Sequence, residues 1–335
     1  PLLDVSEIQG RLGAVEALFE QTQLRMELRK ALKGVADLER LTGKITARTG
    51  NGRDVKALGR SLERVPALRA ALAGIESSLL QTLHEQMEDL ADVAGWIEAA
   101  VVAEPPLAIT EGDLLKDGFD PELDRLHGLV RGGKDWIAAL QQEERDRTKI
   151  SNLKVRYNKV FGYFIEVTKG NTHLVPEDYE RKQTLVNAER YITPGLKERE
   201  EEILTAQERM EKLEYDLFTK LRDRIGAEAR RIHRTADGIA VLDVVLSLAE
   251  VAVTKGYAKP VVNDGGDITI RDGRHPVVED LMARSDFVPN DTVLKPGGAS
   301  MLIVTGPNMA GKSTYLRQVA LITLMAQVGS FVPAG

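Results

Sequence analysis

Cysteine is absent from the 335 residues, which excludes a disulfide scaffold and a thiolate metal site and fits a reducing, cytoplasmic compartment. Long apolar runs are missing too. No stretch reaches the about eighteen uncharged residues of a membrane helix. The nearest, Ile239 to Val253, is interrupted by Asp243 and Glu250 and reads as a buried helix of a soluble domain. The opening Pro1-Leu2-Leu3-Asp4 has no basic segment ahead of an apolar core, so no signal peptide is expected. It has no initiator Met either, which fits processing or excision from a longer chain. Nor is there a basic excess: 45 Lys and Arg against 51 Asp and Glu leave a net of −6. That rules out a uniformly basic nucleic-acid coat, and any contact with a polyanion must come from a local patch.

The composition that remains, 43% hydrophobic and 29% charged, is that of a folded protein. At roughly 150 residues per domain the length predicts two or three domains. From Ser6 to Ala103 apolar residues recur at helical steps (Ile8, Leu12, Val15, Leu18, Phe19; then Leu79, Leu80, Leu83, Met87, Leu90), with a break at Gly50-Asn51-Gly52. Pro105-Pro106 ends this block, and Asp120-Pro121 reads as a helix cap followed by proline at the first helical position. The period then shifts to two. Leu153 to Tyr157 and Tyr163 to Thr168 read as strands, and Gln183 to Tyr191 as irregular or short strand. A second long apolar stripe, Leu196, Ile203, Met210, Leu213, Leu217, Leu221 and Ile225, predicts one continuous helix from Leu196 to about Arg231. Two antiparallel struts, Pro121–Arg147 and Leu196–Arg231, carrying a β island at their tip are the simplest geometry. Short strands are expected at Ile268–Ile270 and Met301–Thr305, with a helix from Lys312 to about Val328.

The strongest chemical signal is Gly306-Pro307-Asn308-Met309-Ala310-Gly311-Lys312-Ser313, a gapless G-x-x-x-x-G-K-S phosphate loop between a predicted strand and a predicted helix. Glycines let backbone amides approach phosphate oxygens, and the helix N-terminus adds partial positive charge. Lys312 would meet the β- and γ-phosphates and Ser313 a Mg²⁺ ion, with Thr314 beside it. Hydrolysis also needs a carboxylate for the metal and a group to orient water. After Ser313 the sequence has no Asp or Glu at all. The nucleotide half-site is therefore expected without its catalytic half, in an ATPase domain cut short.

Taken with its surroundings, Thr305 to Thr314 resembles the phosphate loop of the MutS family of DNA mismatch-repair ATPases. The likeness extends to Gly273-Arg274-His275-Pro276-Val277-Val278-Glu279, to Tyr157-Asn158-Lys159-Val160-Phe161-Gly162-Tyr163, and to Lys182–Tyr191. It reaches back to Pro1-Leu2-Leu3-Asp4, and Ala310 stands where many members have glycine. The resemblance implies a multidomain, mainly α chain: a long-helix core and lever domain (1–148 and 197–258), a small β-rich clamp insertion (149–196), and the N-terminal part of a P-loop α/β ATPase domain (259–335). It implies ATP or ADP with Mg²⁺ as cofactors, Phe287 stacking on adenine with Val288 beside it, and Asn308 reaching the γ-phosphate. For partners it implies mismatched duplex DNA, a second copy in a homodimer, and a MutL-like repair protein, with no membrane. His275 is expected to play a structural, hydrogen-bonded part.

Between Lys149 and Arg199 ten basic residues face six acidic ones, a local +4 within a chain of net −6. With the resemblance, that contrast points to phosphate contact driven by counterion release. Lys154, Arg156, Asn158, Lys159 and Asn187 are the candidates, and the lack of any base-reading helix predicts contact independent of sequence. Two other readings stand beside this one: a non-catalytic DNA-clamp and scaffold module, and an unrelated P-loop kinase or transporter ATPase.

Overall fold

The computed structural model describes residues 2–158, 162–281, 287–308 and 310–335. Seven short helices come first: α1 (Val5–Glu20), α2 (Thr22–Leu32), α3 (Leu38–Thr46), α4 (Gly52–Leu62), α5 (Val65–Leu72), α6 (Ser78–Gln86) and α7 (Ala91–Ala100). The long helix α8 (Pro121–Thr148) follows, then strands β1 (Lys154–Asn158), β2 (Gly162–Thr168), β3 (Glu180–Thr184) and β4 (Ala188–Ile192). Two further long helices, α9 (Pro194–Ala227) and α10 (Ala229–Lys255), lead to β5 (Ile268–Gly273), α11 (Pro276–Leu281), β6 (Asn290–Leu294) and α12 (Lys312–Gln327). Helices predominate, and both sheets are small and antiparallel. Among the described residues no helix is long and apolar enough to cross a membrane.

The chain divides into two compact units. One comprises Pro1–Gly43, Ala57–Ala94 and Ala227–Gly335. Its core is built by α1, α6 and α10, which present the expected stripe: Ile8, Leu12, Val15 and Leu18 meet Leu80, Leu83, Leu242 and Leu246, all essentially buried. Helix α10 is buried on one face only, with Val244, Val251 and Val253 in solvent, so the run around Ile239 is amphipathic rather than wholly enclosed. The C-terminal segment docks on α1: Phe19 and Phe331 stack at 5.3 Å, and Arg11 donates to the Val328 carbonyl at 3.3 Å.

The other unit comprises Lys44–Lys56 and Gly95–Gly226. Asp120 caps α8 as its sequence predicts, accepting from the Glu122 and Leu123 amides at 3.0 Å each. Helices α8 and α9 run antiparallel, since Trp136 lies under Arg199 and Gly133 against Ile203. Helix α9 has 34 residues, about 50 Å at 1.5 Å per residue. It stops at Ala227, short of the expected Arg231. Gly226 weakens the last turn, Glu228 leaves helical geometry at φ −89°, ψ 6°, and α10 restarts one residue later. Between the struts sits a four-stranded sheet of order β1-β2-β4-β3. The stretch expected to be irregular or short strand, 183–191, belongs to a hairpin of two short strands with a register shift between Arg181 and Gln183. One sheet face (Ile165, Val167, Tyr191) joins Ile150, Leu153, Tyr179 and Leu196 in a core that Trp136, Ile137 and Leu140 of α8 cover. Burying each such side chain stabilises by about 1.5–3 kcal/mol.

At Gly133 a Cβ would fall 2.3 Å from Ile203 Cγ1 and 2.6 Å from its Cδ1. Gly133→Ala should therefore lose stability, by about 1–3 kcal/mol, although alanine is the better helix former. In an Ile203→Ala background the same change should become neutral or stabilising. Urea denaturation of the four chains checks this, and a Gly133→Ala chain as stable as the parent would contradict the close helix contact.

Candidate functional site

The phosphate loop lies in the first unit, ahead of α12. Gly306 and Gly311 adopt φ of +146° and +82°, a region L side chains rarely enter. Gly311 is the N-cap of α12 and provides no side-chain cap, which leaves the first helical amides to bind an anion. Lys312 Nζ folds over the loop and donates to the carbonyls of Gly306 at 2.6 Å and Pro307 at 2.5 Å. Ser313 is exposed, as are Pro307, Asn308 and Ala310, while Thr314 is half-buried. Met309 lies outside the described residues. Helix α12 is fixed by Ile322 against Ile270 and Val332, and by Tyr315, whose hydroxyl lies 2.8 Å from Thr292 Oγ1 of β6.

These residues fit a phosphate group. For Mg²⁺ they offer one hydroxyl, Ser313, and residues 306–335 hold no Asp or Glu, so they do not by themselves make a magnesium site. The expected strand Met301–Thr305 is not formed. Its residues pair with no strand among the described residues, and Met301 and Ile303 are 78% and 83% exposed. An apolar run becomes a strand only when a neighbour takes its amides and carbonyls. Strand β5 pairs instead with β6, which the sequence reading missed. Phe287 is half-buried and Val288 exposed, and among the described residues no hydrogen bond or ring contact joins Phe287 to the loop. His275 is structural: its Nδ1 accepts from the Val277 and Val278 amides at 3.3 Å each.

The second candidate site is the outward face of the four-stranded sheet. Residues directly opposite in an antiparallel pair share a face. Lys154 stands opposite Glu166, Arg156 opposite Phe164 and Asn158 opposite Gly162, while Glu166 also faces Arg190 of β4. Lys154 and Arg156 are exposed and Asn158 half-buried. Lys159 lies outside the described residues. Asn187 is exposed but sits in the β3–β4 turn beside Lys169, whose amide it accepts at 3.1 Å. That turn is at the opposite end of β2 from Asn158, about 20 Å away at 3.3 Å per residue. The structure thus gathers Lys154, Arg156 and Asn158 on one strand and leaves Asn187 apart.

Two residues of this face were not among the candidates. Arg190 lies over the Phe164 ring at 4.4 Å and donates to Gln183 Oε1 at 2.8 Å. Glu166 sits between two arginines, 3.5 Å from Arg156 Nε and 3.6 Å from Arg190 Nε. The β1–β2 and β2–β4 registers bring them together, and the sequence pattern does not show that β4 pairs with β2. Behind the face, Tyr179 donates to Glu144 at 2.7 Å and Tyr191 to Glu189 at 2.6 Å. Burial, then these carboxylates, pushes Tyr191 up to about 12 and Tyr179 further.

The profile of MutS family domain IV matches residues 118–209, and that of MutS domain V matches residues 302–335. Among curated relatives, the chain is 50% identical over 334 residues to the DNA mismatch repair protein MutS of Desulforamulus reducens. It is 51% identical to those of Halothermothrix orenii and Ruminiclostridium cellulolyticum. In each comparison the whole chain is covered, but only 38%, 37% and 38% of the relative.

A phenol whose folded pKa is raised contributes stability that is intact below its unfolded value near 10 and is lost as pH rises through the folded value. In an alkaline absorbance titration, Tyr191 should ionise near pH 12 and Tyr179 later still, and Tyr179→Phe with Tyr191→Phe should remove that late component. Ionisation of all seven tyrosines together near pH 10 would contradict the buried phenol–carboxylate pairs.

Proposed function

From a chain that belongs to the MutS family, and spans 37–38% of the length of its curated relatives, we propose a part in DNA mismatch repair that grips the duplex through its backbone. The observation that carries this reading is the row Lys154, Arg156 and Asn158 on one exposed sheet face, with Arg190 stacked beside it. Exposed cations at strand spacing meet phosphates whatever the bases, and each phosphate neutralised releases counterions. The struts α8 and α9 carry the sheet. In this reading 149–196 is the clamp, and the long helices relay a nucleotide signal in a cytoplasmic, homodimeric sensor of mismatched DNA that works with a MutL-like partner.

Residues 306–314 are the nucleotide half-site of the same reading. Gly306 and Gly311 shape the loop, its amides and Lys312 hold the phosphates of ATP or ADP, and Ser313 offers its hydroxyl to Mg²⁺. Phe287 and Val288 are proposed to lie at the adenine. Lys312 already bridges two loop carbonyls, so nucleotide would draw its ammonium from Gly306 and Pro307 to phosphate oxygens. Family membership leaves no support for an unrelated kinase or transporter ATPase.

Two measurements test this. Lys154→Ala should weaken binding to matched and mismatched duplex equally and lower the slope of log affinity against log salt by about 0.9; an unchanged slope contradicts the contact. The 335-residue chain should bind a fluorescent ATP analogue in a Lys312-dependent way yet show no steady hydrolysis. Turnover abolished by Lys312→Ala would contradict the missing catalytic half.

A further inference from the structure

The basic face of the sheet has an acid at its centre. Glu166 lies across from Lys154 on one side and from Arg190 on the other, and its two oxygens point to two different guanidinium groups. A second acid, Glu180, stands on the edge strand β3 and is held by Lys182 at 2.7 Å. The two Glu166 contacts, 3.5 and 3.6 Å, are longer than the about 2.7–2.9 Å of a charge-assisted hydrogen bond. The pairing is Coulombic and leaves the directional capacity of the guanidiniums largely unused. The two arginines differ in freedom. Arg190 is fixed by Phe164 beneath it and Gln183 beside it, with 19% of its side chain exposed, whereas Arg156 is 52% exposed and tied, among the described residues, to Glu166. Lys154, one residue pair along, has no acid within ion-pair distance among the described residues.

We propose that Glu166 is a built-in counter-charge of the phosphate-binding face. It holds Arg156 against the sheet and must give up that pairing, and tolerate an incoming anion, whenever a phosphodiester is bound. This rests on the reading that the face meets duplex backbone. A carboxylate between two arginines repels the phosphate they attract, so it keeps the grip weak and its salt dependence shallow. That suits a surface which must hold DNA without fixing a position on it. Glu166 touches no base and donates no bond, so it acts through Arg156 and Arg190 as a positioning residue.

The test uses the 335-residue chain and a fully matched 30-base-pair duplex titrated at several salt concentrations. Glu166→Gln preserves shape and removes the charge. It should tighten binding about two- to fivefold at low salt and steepen the log–log salt slope, by up to about 0.9 for each arginine that gains a phosphate. Glu166→Asp, which keeps the charge, should stay close to the parent, and Arg156→Gln placed on Glu166→Gln should cancel most of the gain. Should Glu166→Gln not fold, as judged by its circular dichroism, Arg156→Gln against Lys154→Gln decides. The half-neutralised Arg156 should cost less affinity than the unpaired Lys154, and an equal or larger loss overturns the proposal. Unchanged or weaker binding by a folded Glu166→Gln, with Lys154→Gln still weakening it, overturns the counter-charge and leaves the phosphate face standing. If neither variant alters affinity or slope, the face is not a DNA contact and the proposal falls with it.

Discussion

The face that the four-stranded sheet turns outward depends on strand register. Side chains alternate across a sheet, so the pairing of Val155 with Ile165 and of Ile165 with Tyr191 also decides where Lys154, Arg156, Glu166 and Arg190 point. A slip of one residue would bury the cations and expose the core. The apolar face is pinned by α8 and the start of α9, through Trp136, Ile137, Leu140 and Leu196. The same burial that stabilises the sheet therefore holds its charged side outward. Glu200 adds a local lock, accepting the Tyr163 amide at 2.7 Å at the start of β2.

The phosphate loop follows a different logic. Its shape comes from two glycines at positive φ and an uncapped helix, and its position from α12 packing on Ile270 and Val332. Little else encloses it. Met301 to Val304 lie in solvent, and the groove that Met301, Leu302 and Val304 line with Leu316, Val319 and Leu324 is apolar. In the proposed function the binding half of a nucleotide site would need only a turn and a helix, whereas hydrolysis would need an acid that neither the loop nor the following helix provides.

Much of this was legible in the sequence, for reasons that differ by element. The cap at Asp120, the break at Gly50–Gly52 and the phosphate loop are local chemistry, so composition at a few positions decides them. The first strand announces itself by alternation and the second by its aromatic and β-branched residues. The hairpin of β3 and β4 does not, because Arg181, Lys182, Gln183 and Glu189 carry no apolar period and the fold comes from pairing with β2. The end of α9 at Ala227 was hidden because the apolar stripe continues into α10, and only one residue, Glu228, leaves helical geometry. Met301–Thr305 failed in the opposite sense: its apolar pattern is right for a strand, but pattern cannot provide a partner. Arg190 and Glu166 were beyond reach for the same reason as the hairpin.

Protection of individual lysines from acetylation by duplex DNA tests the sheet face most directly. With matched or mismatched duplex at low salt, Lys154 should be shielded to the same degree, and raising the salt should expose it again. Shielding confined to lysines elsewhere, such as Lys182 or Lys212, while Lys154 keeps reacting at its free rate would contradict a phosphate-binding role for this face.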